Sequence, residues 1–189
     1  MKLSIITSNP GKVEEYRHCF DGLGVETVHT KIPYDEVQSS ELEEVVGKGM
    51  YELKKKSISN FIIDDSGLFI NCLEGFPGVW SAYVQKTIGN GGVLKLMDGA
   101  ADRSAVFKCC IGCNIDGNDI IVTGTCGGTI LEESRGTEGF GYDPIFSHNG
   151  TESFAEIPIG EKNKISHRGH AVSLLMEEIK KYLIYDGKP

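Results

Sequence analysis

Apolar positions in this chain repeat alternately at strand spacing and at helix spacing. Residues 2–7, with Leu3, Ile5 and Ile6, predict a short buried strand. Asn9-Pro10 then opens a helix. Asn9 is suited to the N-cap, and Pro10 to a first helical position that needs no N–H. Val13, Tyr16 and Phe20 fall on one helical face, and Gly22 and Gly24 end the helix. Residues 25–28 predict a second strand. The next helix carries Leu42, Val45, Val46, Met50 and Leu53 on one face, with Glu41, Glu43 and Glu44 near the N-terminus, where the macrodipole favours acids. Phe61-Ile62-Ile63 predicts a third strand that ends at Asp64-Asp65, where Ser66-Gly67 turns the chain.

Residues 73–81 form a Gly/Pro-punctuated loop exposing aromatic rings. Residues 82–97 predict a helix interrupted at positions 89–92. Residues 106–114 and 119–125 predict a hairpin around Asp116-Gly117-Asn118. That hairpin changes the pattern from alternating α/β to antiparallel and points to a second lobe. Ser166 reads as the N-cap of a last helix whose buried stripe is Ala171, Val172, Leu175, Ile179, Tyr182 and Leu183.

A length of 189 residues, 40% hydrophobic and 24% charged, implies a globular protein of one domain or two closely packed lobes. No run reaches the roughly 18 apolar residues of a membrane span, and the apolar start gives way at once to Thr7-Ser8-Asn9. The expectation is a cytoplasmic protein without a secretory signal. A formal charge of −8 argues against a general nucleic-acid surface, but not against one local cluster that binds a nucleotide. Half of the six cysteines lie in Cys109-Cys110-Ile111-Gly112-Cys113. A four-cysteine zinc site needs a second pair at suitable spacing, so these read as small strand residues, with a thiol or zinc module as the alternative.

Four stretches carry candidate chemistry. In Thr7-Ser8-Asn9-Pro10-Gly11-Lys12, a strand-to-helix loop aims backbone N–H groups outward beside Lys12, an arrangement suited to phosphate; Walker A spacing is missing. Vicinal Asp64 and Asp65 repel each other, so a divalent cation, a donor cluster or a shared proton is expected nearby. Lys162, His167 and Arg168 gather donors at a helix start, while Phe140 or Tyr142, in a glycine-rich loop, offers a face for a flat base. Each stretch also has an ordinary reading, as a capped helix, a turn, a core aromatic or a solvated basic turn.

In order and combination, these motifs resemble the inosine triphosphate pyrophosphatase family. They are the Thr7 to Lys12 loop, Asp64-Asp65-Ser66-Gly67-Leu68 with Gly75-Phe76-Pro77-Gly78, Phe140-Gly141-Tyr142-Asp143-Pro144, Glu161-Lys162-Asn163 and Ser166-His167-Arg168-Gly169. The resemblance implies an α/β fold, a long mixed twisted sheet flanked by helices, in two lobes with the nucleotide in the cleft between them. It implies a homodimer that hydrolyses ITP, dITP and XTP to the monophosphate and pyrophosphate with Mg²⁺. Thr7, Ser8, Asn9, Pro10, Gly11 and Lys12 would hold the phosphates, with Lys12 also catalytic, and Asp65 would be metal ligand and general base. Ser66 would contact substrate, Phe140, Gly141, Tyr142, Asp143 and Lys162 would line the pocket, and His167 and Arg168 would read the base. Glu36 is the choice for the second metal ligand, with Glu41 as runner-up. Two alternatives are a Maf-like nucleotide pyrophosphatase, whose Ser-x-Ser-Pro-Arg-Arg pattern is absent here, and a nucleotide-binding regulatory protein without hydrolysis.

Overall fold

A computed structural model describes residues 2–35 and 37–185, with side chains through residue 181. Glu36 therefore lies outside the described residues, as do the side chains of Tyr182 and Leu183. The strands are β1 (Lys2–Ile6), β2 (Glu26–Thr30), β3 (Phe61–Ile70), β4 (Pro77–Gly78), β5 (Ser104–Ile115), β6 (Asn118–Ile130) and β7 (Phe146–Ser147). They form one mixed sheet in the order β2-β1-β3-β5-β6-β7, with β4 pairing β3. The helices are α1 (Pro10–Phe20), α2 (Leu42–Lys55), α3 (Ser81–Thr87), α4 (Gly89–Leu96), α5 (Ile159–Ile165) and α6 (His167–Tyr185).

Both faces of the sheet are covered. Tyr16 and Phe20 of α1 and Ala171, Val172, Leu175 and Ile179 of α6 pack on Leu3, Ile5, Ile62, Cys109, Ile111 and Cys113. Leu42, Val46, Met50 and Leu53 of α2 pack on the opposite face, against Ile6, Phe61, Ile63 and Cys110. A third cluster gathers Leu68, Val84, Val93, Phe107, Tyr142, Phe146 and Phe154 toward the far end of the hairpin. Gly124 lets α6 settle closely on β6: a Cβ there would lie 2.4 Å from the His167 carbonyl oxygen and 2.2 Å from Ala171 N. The start of α6, with His167 and Arg168, is thereby pressed into the sheet.

Several boundaries differ from the sequence expectation. The third strand does not end at Asp64-Asp65. It runs on through Ser66 and Gly67 to Ile70, because β5 pairs with it along its whole length, Asp65 opposite Cys110 and Gly67 opposite Lys108. Gly67 serves close approach rather than a turn, since a Cβ would meet the Gly78 oxygen at 2.2 Å. The second strand is shifted to Glu26–Thr30, and the break between α3 and α4 falls at Ile88–Gly89, where Gly89 takes φ +61. The hairpin is longer than expected and turns on Asp116 and Gly117, both at positive φ. It extends the same sheet as β1 and β3. Cys110 and Cys113, three positions apart on one strand, fall on opposite faces and in different core clusters, so the thiol or zinc module has no shared site.

Candidate active site

The cleft arises where two parallel strands part. β1 pairs with β3 at Ser4 with Phe61 and Ile5 with Ile62, keeps only β2 as partner at Ile6 among the described residues, and then forms the loop into α1. The neighbouring edge of β3 is not covered again until β4 pairs at Leu68, so between those points it has no strand partner among the described residues. Asp64, Asp65 and Ser66 lie in this gap, directly beside the Thr7 to Lys12 loop.

That loop is fixed by its own side chains. Asn9 caps α1 by accepting from Gly11 N at 2.9 Å, and Asn9 N donates to Thr7 Oγ1 at 3.2 Å. Lys12, in the first turn of α1, reaches back to β3 and donates to the Asp64 carbonyl oxygen at 3.0 Å, while pairing with Asp64 Oδ2 at 3.1 Å.

Successive side chains of a strand leave on opposite faces, and this separates the two aspartates. The Asp64 side chain is 1% exposed and meets Arg168 Nη2 at 3.0 Å as well as Lys12. Burial pushes its carboxyl up, but Lys12 and Arg168 outweigh burial and hold it below the ordinary range. The donor cluster expected near the acid pair is therefore present on Asp64. Asp65 is partly exposed, accepts from Ser66 N at 2.9 Å and faces the cleft.

Behind the cleft lies a closed ion network. Arg168 Nη1 donates to Glu15, and Nη2 donates to Ser66 Oγ at 3.0 Å as well as to Asp64. Lys162 sits between Glu15 Oε1 at 2.5 Å and Asp143 Oδ2 at 2.7 Å. With Lys12, three cations face three carboxylates, so the charges cancel. Burial alone would lower the basicity of Lys162, yet its two carboxylates raise it. Burial raises the Glu15 carboxyl, and Arg168 and Lys162 bring it below the ordinary value. Asp143 goes the other way: burial keeps its carboxyl raised against the pull of Lys162. His167 is buried and stacked on Phe107 at 4.5 Å between ring centroids. Burial first, then Arg168 and Lys162, hold its imidazole far below the ordinary value near 6.5, so it is neutral at pH 7.

Two cavities meet at this point. One, of about 510 Å³, is lined by Thr7, Ser8 and Lys31 and by an apolar wall that includes Tyr34 and Val45. The other, of about 380 Å³, is lined by Ser66, Phe107, Phe140, Gly141, Tyr142, Asp143, His167 and Arg168. Asn9, Lys12, Asp65 and Ala82 belong to both. Of the sequence candidates, Pro10, Gly11 and Lys162 line neither cavity. Gly11 instead makes room for the Phe140 ring, 2.4 Å from where a Cβ would stand. Lys162 lies on α5 rather than at the start of α6, one layer back, 5.5 Å from the Phe140 ring centroid. Glu41 is the N-cap residue of α2 and lines neither cavity.

Sequence reasoning missed Glu15, and Gln85 on α3 and Asn90 on α4, whose side-chain amides both donate to the Gly141 carbonyl oxygen. Glu14-Glu15 looks like solvated helix surface, and the available signal was indirect: Lys162 and Arg168, if buried, require carboxylates. Among the described residues no group of three or more His, Cys, Asp or Glu is placed to hold a metal ion. Asp65 is still a suitable oxygen donor for Mg²⁺, which commonly takes one or two carboxylates, substrate phosphates and water.

Comparison with known proteins places nearly the whole chain in a family and a fold. The Ham1 family model matches residues 3–178. The dITP/XTP pyrophosphatase of Pyrococcus horikoshii is 52% identical over 186 residues, covering 98% of this chain and 100% of that protein. The dITP/XTP pyrophosphatase of Thermococcus kodakarensis is 51% identical over 173 residues, covering 91% and 94%. Among solved structures, the Ham1 protein of Staphylococcus aureus superposes with a TM-score of 0.81 at 27% identity, covering 96% of this chain and 100% of that one. The dITP/XTP pyrophosphatase of Mycobacterium abscessus gives a TM-score of 0.68 at 31% identity, covering 93% and 98%. With almost its whole length matched in sequence and in fold, the chain belongs to the Ham1 family.

Proposed function

We propose that this protein is a nucleoside triphosphate pyrophosphatase acting on the deaminated purine nucleotides dITP, ITP and XTP, with Mg²⁺, to give the monophosphate and pyrophosphate. The observation that carries the reading is the junction of the two cavities, where Lys12 and Asp65 stand between a phosphate-binding loop and an aromatic chamber. The names of the relatives support the substrate class.

The triphosphate lies along the Thr7 to Lys12 loop, where the N-terminus of α1 and the Lys12 ammonium favour negative charge. Water attacks the α-phosphorus, the bond from that phosphorus to the bridging oxygen breaks, and pyrophosphate leaves with the electron pair. Asp65 takes the proton of the attacking water. Lys12, anchored on Asp64, sets its ammonium at the lip of the cleft and offsets charge on the phosphoryl oxygens. Mg²⁺ held by Asp65, with Glu36 as the second carboxylate, would add positive charge at the phosphates.

The base enters the second cavity against Phe140. The Arg168 Nε atom is buried without a protein partner among the described residues, as is one ring nitrogen of neutral His167. A 6-oxo group satisfies a buried N–H donor, whereas the 6-amino group of adenine leaves it unpaired, a mismatch that can discriminate strongly. From the resemblance, the protein is read as a cytoplasmic homodimer of two-lobed chains. Among the described residues no helix is long and apolar enough to cross a membrane.

The test is incubation with ITP, XTP, GTP and ATP in Mg²⁺, with Asp65→Asn as control. The expected result is pyrophosphate from ITP and XTP, little from ATP and GTP, and a loss of about 10²- to 10⁴-fold in the control. Orthophosphate as product would move the attack to another phosphorus. No product from any substrate would leave a nucleotide-binding protein without hydrolysis.

A further inference from the structure

The strap that carries Phe140 is held on both sides. On one side Phe140 N donates to Asp143 Oδ2 at 2.8 Å, and Asp143 is anchored by Lys162. On the other side, Gly141 O receives two amides at once, Gln85 Nε2 at 3.0 Å from α3 and Asn90 Nδ2 at 3.1 Å from α4. One residue further on, Tyr142 Oη donates to the Ser81 carbonyl oxygen at 2.9 Å, again on α3. Gly139 and Gly141, which flank Phe140, both take left-handed conformations, with φ of 71° and 63°. Gly89, at φ +61, separates α3 from α4, and one amide from each converges on the same oxygen.

The amides are held in an orientation unfavourable to themselves. Gln85 Oε1 and Asn90 Oδ1 are both buried without a protein partner among the described residues. A carbonyl oxygen has two lone pairs and can accept both donors, but one donor already satisfies it. The second donor is redundant for hydrogen bonding, and each buried unpaired acceptor costs stability. Two such acceptors on one contact are better explained by placement of the strap than by stability of the fold.

We propose that Gln85 and Asn90 are a redundant pair of positioning residues that clamp Gly141 and so set where Phe140 and Tyr142 meet the base. The inference rests on the base-binding role given above to the second cavity. Both amides bond the strap that carries Phe140, and Gln85 also lines the second cavity, so the clamp acts on the nucleoside half of the substrate. Because either amide can hold the carbonyl, losing one is largely compensated by the other, and losing both is not.

The experiment uses wild-type protein, Gln85→Met, Asn90→Leu and the double variant, in which each amide gives way to an apolar side chain of similar shape. Each is titrated calorimetrically with IMP and, separately, with inorganic tripolyphosphate, and its Tm is recorded. IMP affinity should fall no more than roughly threefold in each single variant and by more than roughly tenfold in the double variant. Tripolyphosphate affinity should stay within about twofold, and the Tm of the double variant should change little, since removing two buried unpaired acceptors offsets the loss of both donors to the Gly141 oxygen. The kcat/KM preference for ITP over ATP should shrink in the double variant. Simple additivity of the two single losses, an unchanged IMP affinity, or a joint fall of IMP affinity, tripolyphosphate affinity and Tm would each overturn the clamp. Failure of wild-type protein to turn over ITP would overturn the activity instead, and the titrations would still judge the clamp.

Discussion

The Thr7 to Lys12 loop makes its defining contacts with itself, whereas the wall facing it is assembled from segments far apart in the chain. Asn9 bonds Thr7 and Gly11, two positions away on either side. Arg168 bonds Glu15 across 153 positions and Ser66 across 102. Asp64 and Asp65 divide in the same way. One is closed into the distant ion network, and the other faces the cleft. The first wall is a local motif whose geometry follows from a helix start. The second is a tertiary product, held only while all its charges are paired. Mutations should therefore separate the two, with chemistry lost at the lip and the fold lost behind it.

The largest effect is expected at Glu15. Glu15→Leu leaves Arg168 and Lys162 short of a carboxylate inside the protein, and breaking a buried pair in this way costs about 3–5 kcal/mol. For a chain of this length that is a fall in Tm on the order of 10 °C. Thermal unfolding of Glu15→Leu beside Asp65→Asn would show it, because Asp65→Asn should lose turnover with little change in Tm. A Glu15→Leu protein as stable as wild type would mean that the network does not hold the wall together.

Lys12 joins the two walls, and its removal should give a smaller, mixed effect. Lys12→Met takes a positive charge from the phosphate side but leaves Asp64 paired with Arg168. The loss of kcat/KM should be on the order of 10²-fold, in line with removal of one charge-stabilising donor. Steady-state kinetics and calorimetry with inorganic tripolyphosphate should show weaker phosphate binding, while binding of inosine, which has no phosphate, is nearly kept. Equal losses for both ligands would place Lys12 with the base wall.

The division between local and distant contacts also explains what was legible in the sequence. The Asn9 cap with Pro10 behind it, the apolar faces of α1 and α2, and the Asp116-Gly117 turn are local and could be read directly. The order of motifs along the chain pointed to the family. Gly67 misled because a glycine after Asp-Asp-Ser reads as a turn, while its role is to let Gly78 pass close to β3. Glu15 was invisible because helical periodicity marks apolar positions. A buried acid is decided by cations that arrive from α5 and α6. Gln85 and Asn90 gave no pattern at all, since their meeting depends on the fold of α3 against α4.

The smallest effect concerns pH and belongs wholly to the base wall. His167 is buried beside Arg168 and Lys162, with Lys12 adding positive charge and Asp64 opposing it, and its folded-state basicity lies far below the ordinary value near 6.5. Below pH 6.5 the unfolded chain therefore takes up a proton that the folded protein refuses. Stability is unaffected by this group above pH 6.5 and declines as the pH falls through the window below it, by up to about 1.4 kcal/mol per pH unit. Asp64 and Glu15 contribute in a different window. Their folded-state values are depressed below the ordinary carboxylate range, so their stabilisation is present above that range and is lost only as the pH falls toward their folded values. Between about pH 6.5 and 5 the two effects separate. Urea unfolding of wild type and His167→Gln at half-unit steps across that interval should give a shallower stability slope in the variant. Parallel slopes would mean that His167 takes up its proton in the folded protein as readily as in the unfolded chain, so that it would meet the base as a cation below about pH 6.5.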